Sequence, residues 1–399
     1  MKDIKITFVA ATLPLYAISY KNGRKTFELQ GFDGILTASV QYDYDRRPLE
    51  LSCEIKEGDQ LEITLLKYRI EIYVNGVLQD EEWPAGERLF ACGDPFISNT
   101  EIECTEYIKT PEIQPNVLAS FENAEGWYPG NGVFVGDCMP YRKGDEYHVL
   151  YLKDRHHHRS KWGLGAHQWE HISTKDFKTW QIHPMAVPIT DPKEGSICTG
   201  SWICHGNTEY LYYTVRRGRG IPAPVCRSVS NDGYHFEKDK DFFFTISDRY
   251  TAASARDPKV IRGEDGLYHM FLTTRLANEN RGCLVHLVSS DLNQWSDTGV
   301  PIYISDDDAE PECSDYFAYK GRYYLIYSLH LKAHYLISDS PFDGWRVPEN
   351  PIIPCASVPK GAIWDDKIVF AGFERMGGYG GKLTFKSATV DEDGALIFD

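Results

Sequence analysis

Two stretches decide the fold. Gly266-Leu267-Tyr268-His269-Met270-Phe271-Leu272-Thr273 is a short strand dense in aromatic and aliphatic residues. Val288-Ser289-Ser290-Asp291-Leu292-Asn293-Gln294-Trp295 is a strand that runs into a polar turn and ends on tryptophan. Both patterns recur. The aromatic strand returns at Glu146–Leu152, Glu209–Val215, Gly321–Ser328 and Asp366–Phe373, with starts 45 to 63 residues apart. The strand-to-turn pattern returns at Ile172–Trp180, Ser228–Gly233 and Leu336–Trp345, with a weaker copy at Ser387–Gly394. A period near fifty residues with short strands and no helical spacing is the pattern of a propeller blade of four strands. Five copies predict a five-bladed β-propeller. One large sandwich is the alternative, but chance similarity does not keep two patterns in the same order in each copy.

Upstream, short alternating runs dominate: Leu49–Ile55, Gln60–Leu66 and Arg69–Val74, the last followed by Asn75-Gly76. Asn-Gly between alternating strands is a hairpin signal, because both central residues of the favoured turn need positive φ. This part reads as a β-sandwich. Thr110–Pro115 carries two prolines, which block regular pairing and suggest a linker. The predicted fold class is therefore all-β: a smaller β-sandwich at 1–118, then a five-bladed β-propeller at 119–399.

The 399 residues carry a net charge of −16, with 42% hydrophobic, 25% charged and 13% aromatic residues. That mixture excludes a mostly disordered chain. The acidity argues against nucleic acid as a partner, since phosphates demand a basic surface. No apolar run is long enough to span a membrane as a helix. Lys2 and Lys5 before Ile6–Ala17 faintly resemble a signal peptide, but Asp3 and Pro14 oppose that reading. An edge strand and a cytoplasmic location are expected. Ten cysteines lie scattered with no CxxC pair, so buried thiols are expected rather than a metal ribbon.

In a propeller, the first strand of each blade lines the central channel, and its start reaches one mouth. About ten residues before each aromatic strand stand Gly136-Asp137-Cys138-Met139-Pro140, Thr199-Gly200-Ser201, Ala255-Arg256-Asp257-Pro258, Pro311-Glu312-Cys313-Ser314-Asp315 and Lys360-Gly361-Ala362. Three blades thus supply a carboxylate, Asp137, Asp257 and Glu312, at what reads as the same relative place. Converging carboxylates suit glycosidic cleavage, which needs one to attack or stabilise the anomeric carbon and one to protonate the leaving oxygen. Like charges held close keep one of them protonated. A bound divalent cation, or plain turn aspartates, would use the same residues.

These residues resemble glycoside hydrolase family 32, the invertase, levanase and inulinase group. Arg256-Asp257-Pro258 and Glu312-Cys313 match that family's stabiliser and acid/base motifs. Trp169-Glu170-His171, running on to Lys175-Asp176 and Trp180, is similar to its Trp-Gly-His stretch, and Thr199-Gly200-Ser201 to its Ser-Gly-Ser segment. The resemblance covers about residues 127 to 390. It implies a retaining glycosidase with Asp137 as nucleophile, Glu312 as acid/base and Asp257 as transition-state stabiliser. Arg256 would orient the carboxylates, and Trp162, Trp169, His171, Ser201 and Lys360 would bind substrate. The nucleophile motif is reduced to Gly136–Pro140, without the family's asparagine, and Leu152 replaces its glutamine. Both changes remove groups that hold fructose, so poor fructose binding is expected. The sandwich precedes the propeller, whereas the family carries it downstream. A stabilising role, carbohydrate binding by a lectin-like face, and dimer formation are all open for it.

The loops after the aromatic strands are basic. Lys153, Arg155, Arg159 and Lys161 flank His156–His158. Arg216, Arg217 and Arg219 follow the second aromatic strand, and Arg275, Arg281, Lys332, Arg375 and Lys382 the later ones. They would attract an anionic sugar or merely balance the carboxylates. The expected function is hydrolysis of a small oligosaccharide or terminal furanoside by double displacement. A transglycosylase, or a non-catalytic carbohydrate-binding propeller, is the alternative. No cofactor and no metal are expected. The expected partner is a carbohydrate, with neither nucleic acid nor membrane, and a homo-oligomer is left open.

Overall fold

The computed structural model describes residues 4–10, 16–22, 25–41, 49–66, 69–82, 96–107, 117–120, 126–130, 132–155, 157, 167–191, 194, 196–218, 220–355 and 357–399. Among them the regular structure is β throughout, apart from one turn of 3-10 helix at Ala252–Ser254. The Thr110–Pro115 segment, Trp162, Arg159, Lys161 and Arg219 lie outside the described residues.

Strands up to Glu106 form two five-stranded sheets. One holds Glu103–Glu106, Ile4–Val9, Gln60–Leu65, Ile70–Val74 and Val77–Glu82 in that order. The other holds Leu49–Glu54, Ile35–Gln41, Lys25–Phe32, Tyr16–Asn22 and Ile97–Ser98. Ile4, Ile6, Leu61, Ile63, Ile70 and Ile72 of the first sheet share a core with Phe27, Leu29, Leu36, Ala38 and Val40 of the second. Alternation along each strand sends these residues inward, as a sandwich requires. The Asn75-Gly76 hairpin is present, with φ of 51° and 77° and Val74 opposite Val77. Ile4–Val9 is not an edge strand: it pairs with Glu103–Glu106 on one side and Gln60–Leu65 on the other. Its alternation is the same in either place, so the sequence alone could not separate them.

Val117–Ser120 pairs with Thr179–Ile182. It therefore belongs to the outer edge of the first blade, and the changeover between units falls before it rather than after residue 118. Five antiparallel units follow. Their inner strands are Val133–Lys143, Ser196–His205, Arg256–Arg262, Glu312–Tyr319 and Ser357–Trp364. Their second strands are Glu146–Arg155, Thr208–Arg216, Tyr268–Leu276, Arg322–Leu329 and Lys367–Arg375. The second strands are the aromatic repeats. Each inner strand lies beside the next, and the fifth lies beside the first. The polar turns repeat because their aspartate caps the chain. Asp176 Oδ1 accepts amides from Lys178 and Thr179, Asp232 Oδ1 from Tyr234 and His235, and Asp291 Oδ1 from Asn293 and Gln294, all at 2.7–3.0 Å.

One feature of the inner strands was not foreseen. All five carry a β-bulge against the second strand, two residues facing one: 136–137, 198–199, 257–258, 313–314 and 358–359. A bulge bends the strand and re-aims its side chains. In the third, fourth and fifth blades its first residue is left-handed: Asp257 at φ 57°, Cys313 at 51° and Val358 at 41°. Proline holds the second place in two of them, Pro258 and Pro359, where no ladder amide is lost.

Candidate active site

The bulges bring the three carboxylates to one pocket, in which every blade has a wall: Asp137, Thr199, Asp257, Glu312 and Val358 come from the five inner strands in turn. The carboxylates do not share one relative place. Asp137 is the second bulge residue of its strand, Asp257 the first of its own, and Glu312 stands just before the bulge. The stagger separates them in depth. The Glu312 side chain is 49% exposed and that of Asp257 only 4%.

Asp137 is held from three sides. Its Oδ1 accepts a hydrogen bond from the Tyr379 hydroxyl, and its Oδ2 accepts one from Thr199 Oγ1 at 2.7 Å and lies 3.3 Å from the Cys313 thiol. Its own amide donates to Tyr379 Oη at 3.2 Å. Burial, reinforced by the Asp137 charge, pushes both Tyr379 and Cys313 well above their usual ranges, so both remain protonated donors. Asp257 Oδ2 accepts the Cys313 amide at 2.9 Å and lies 3.7 Å from Arg256 Nε. Burial raises its pKa, and Arg256 and Lys360 oppose that rise.

Arg256 links the acids. It donates through Nη2 to Glu312 Oε1 at 3.0 Å and through Nη1 to Glu310, and it is anchored to the Ser254 carbonyl at 2.9 Å. Glu310 also receives Arg275 Nε at 2.7 Å. Burial works against its charge, yet Arg256 brings its pKa below the usual value. Arg256 therefore faces three carboxylates, and its orientation is fixed from behind by one that does not line the pocket.

Four expected substrate-binding residues lie elsewhere. Trp169 is fully buried behind the pocket, donating to the Cys198 carbonyl at 3.0 Å. His171 is fully buried between Tyr141 and His148, with its Nε2 3.2 and 2.9 Å from them. Ser201 ties two inner strands, donating to the Pro258 carbonyl at 2.9 Å and accepting from the Val260 amide at 2.8 Å. Lys360 donates to the Gly200 carbonyl at 3.1 Å. Ser201 and Lys360 line a separate cavity, with Met139, Lys259 and Asp315. The motif residues around the acids thus build the barrel behind them rather than the sugar subsite. Trp162 cannot be placed, being outside the described residues.

The basic rim also divides. Arg216 and Arg375 line the pocket. Arg155 instead turns to the sandwich, where its Nε lies 3.4 Å from Asp80 and 3.3 Å from the Glu81 carbonyl. Tyr379 and Glu310 were not anticipated. Tyr379 sits in Gly377-Gly378-Tyr379-Gly380-Gly381, a glycine run around one aromatic residue. A Cβ on Gly381 would stand 1.7 Å from the Glu374 carbonyl, so the run permits the close turn that delivers this ring. That pattern was a readable signal.

The model of the glycosyl hydrolases family 32 N-terminal domain matches residues 138–344. A sucrose-6-phosphate hydrolase from Escherichia coli is 28% identical over 193 residues, 46% of this chain and 39% of that protein. A raffinose invertase from Escherichia coli is 26% identical over 194 residues, 45% and 40% of the two chains. The chain thus matches less than half the length of these relatives. Fructan 1-exohydrolase IIa from Cichorium intybus superposes with a TM-score of 0.58 at 16% identity, over 70% of this chain and 61% of that one. Sucrose-6-phosphate hydrolase from Lactobacillus gasseri gives 0.57 at 15% identity, over 69% and 62%. The superpositions show a common fold, and the family match spans more than half of the sequence: the chain belongs to glycosyl hydrolases family 32.

Proposed function

We propose that the protein is a retaining glycosidase acting on a terminal furanoside of the sucrose class. The observation that carries this reading is the convergence of Asp137, Asp257 and Glu312 on one pocket, with Arg256 bonded to Glu312 and set against Asp257. In it, Asp137 attacks the anomeric carbon and Asp257 steadies the developing positive charge. Glu312, nearest solvent, protonates the leaving oxygen and then activates water. Tyr379, Thr199 and Cys313 hold Asp137 with its oxygens aimed. The names of the relatives support a sucrose-class substrate. Arg216 and Arg375 in the wall support a phosphorylated form, because arginine pairs with phosphate through two parallel hydrogen bonds. Leu152 lines the same pocket and offers no partner to a sugar hydroxyl, so plain sucrose should turn over slowly.

The test is a panel of sucrose, sucrose-6-phosphate, raffinose and aryl furanosides. Turnover with net retention, abolished in Asp137→Asn, supports the reading. Added salt should lower kcat/KM for the phosphorylated substrate and leave neutral ones unchanged, as the screening length shrinks from about 10 Å at 0.1 M to about 3 Å at 1 M. No turnover across the panel, or full activity in Asp137→Asn, overturns it.

A further inference from the structure

Three buried histidines stand apart from the pocket in the first blade. His148 comes from the second strand, His171 from the third, Gln168–Thr174, and His183 follows the fourth, Thr179–Ile182. Their strands are hydrogen-bonded neighbours, and the His183 amide donates to the His171 carbonyl at 2.9 Å. All three are essentially inaccessible, at 0, 0 and 2% exposure. One ring nitrogen from each lies within 4.8 Å of one from each of the others. Tyr141 stacks on His148 at 4.7 Å and Tyr234 on His183 at 4.6 Å, closing the group between two blades.

The group is more than a stack of rings. The third blade holds an internal control, His269 and His286, on its second and third strands with the same Nδ1-to-Nε2 contact of 2.9 Å. The first blade repeats that pair as His148 and His171, also at 2.9 Å. A histidine pair is thus a device this fold uses without a third member. His183 makes the first blade different. Three buried ring nitrogens of the group, His148 Nε2, His171 Nδ1 and His183 Nδ1, have no hydrogen-bond partner among the described residues. A buried polar atom left unpaired is costly, and a cation among the three rings would give such nitrogens a partner.

We propose that His148, His171 and His183 form a binding site for one divalent transition-metal ion, of the kind imidazole favours, such as zinc. Zinc bonds imidazole nitrogen at about 2.0–2.1 Å in a tetrahedron, so its ligand nitrogens stand roughly 3.4 Å apart. Nitrogens within 4.8 Å of one another need to close by at most about 1.4 Å to meet it. The Glu146 carboxylate, 3.3 Å from His148 Nε2, can orient that ring. The site lies away from the carboxylate pocket, so its role is structural: it clamps the second, third and fourth strands of the blade whose inner strand carries Asp137.

The test uses untagged full-length protein, refolded with and without zinc, then freed of loose ions by a weak chelating resin. Elemental analysis should give about one zinc per chain, and the zinc-loaded protein should melt at a higher temperature than the metal-free one. Cobalt in place of zinc should give the visible absorption of a tetrahedral site. His183→Gln should lose the metal and the melting difference, while His183→Cys, which supplies a thiolate, should retain both. His269→Gln should retain the metal, and so should a variant with His156 and His158 both changed to Gln. Wild-type protein with well under one tenth of an equivalent and no shift in melting overturns the proposal. So does metal that survives in His183→Gln or vanishes with the His156–His158 run.

Discussion

At the scale of single residues, Tyr379 has the plainest consequence. Its hydroxyl donates to Asp137, and a hydrogen bond to a charged acceptor is worth about 1.5–3 kcal/mol. Tyr379→Phe should cut kcat/KM roughly 10- to 100-fold and move the acidic limb of the pH profile upward, with the fold intact by circular dichroism. An unshifted acidic limb would assign Tyr379 to packing alone. Asp257 carries a different tension. Its folded pKa is raised by burial, so its charge opposes folding. The sign follows: the wild type loses stability as pH climbs through the ordinary carboxylate range and on to the raised value. Asn tolerates the left-handed backbone at φ 57°. Asp257→Asn should therefore be as stable as the wild type near neutral pH, or more so, in urea titrations, yet roughly 100- to 1,000-fold slower. The acids were legible because their chemistry forces their type. Trp169, His171, Ser201 and Lys360 misled because their motif neighbours are conspicuous, while burial, which sets their task, is invisible in a motif.

At the scale of elements, the repeat of aromatic strands fixed the blades closely. Each expected run lies within its observed strand or overhangs its start by one or two residues, because strand pattern and turn chemistry agree. The bulges were not legible. A bulge is defined by the partner strand, and only the prolines at 258 and 359 hint at it from one side. Gly200 tests the second strand's hold on the inner one. A Cβ there would lie 1.8 Å from the Tyr212 carbonyl and 2.8 Å from the Trp169 ring. Neither neighbour can yield, since the carbonyl is backbone and the ring is buried. Gly200→Ala should cost about 3 kcal/mol, read as a lowered midpoint in urea. A neutral result would mean the ladder beside Thr199 is looser than described.

At the scale of the whole molecule, the sandwich and first blade meet through buried charge. Glu81 of the sandwich receives Lys153 at 2.6 Å and Arg155 at 3.6 Å from the blade, and Arg69 at 2.6 Å from its own unit. Burial alone would raise its pKa, but these cations hold it at about 2. The stability this confers is full above the ordinary glutamate value and is lost as pH falls from there toward 2. Glu81→Gln strands the cations and should cost about 3–5 kcal/mol, seen by calorimetry as the sandwich and propeller melting apart. A single unshifted transition would show the units are joined by other means. The five bulges carry the last consequence. The bulge recurs in every blade, but what it displays does not: Asp137 and Thr199 stand at one address in neighbouring blades, Asp257, Cys313 and Val358 at another. Repetition supplies a frame with interchangeable posts, and chemistry arises from unequal tenants. One step deeper, beyond the bulges, Lys259, Asp315 and Lys360 share a single register, and Lys259 meets Asp315 at 2.5 Å. A change of reaction on this scaffold therefore needs only a change of tenant at the mouth, while the charged tier beneath keeps the frame standing.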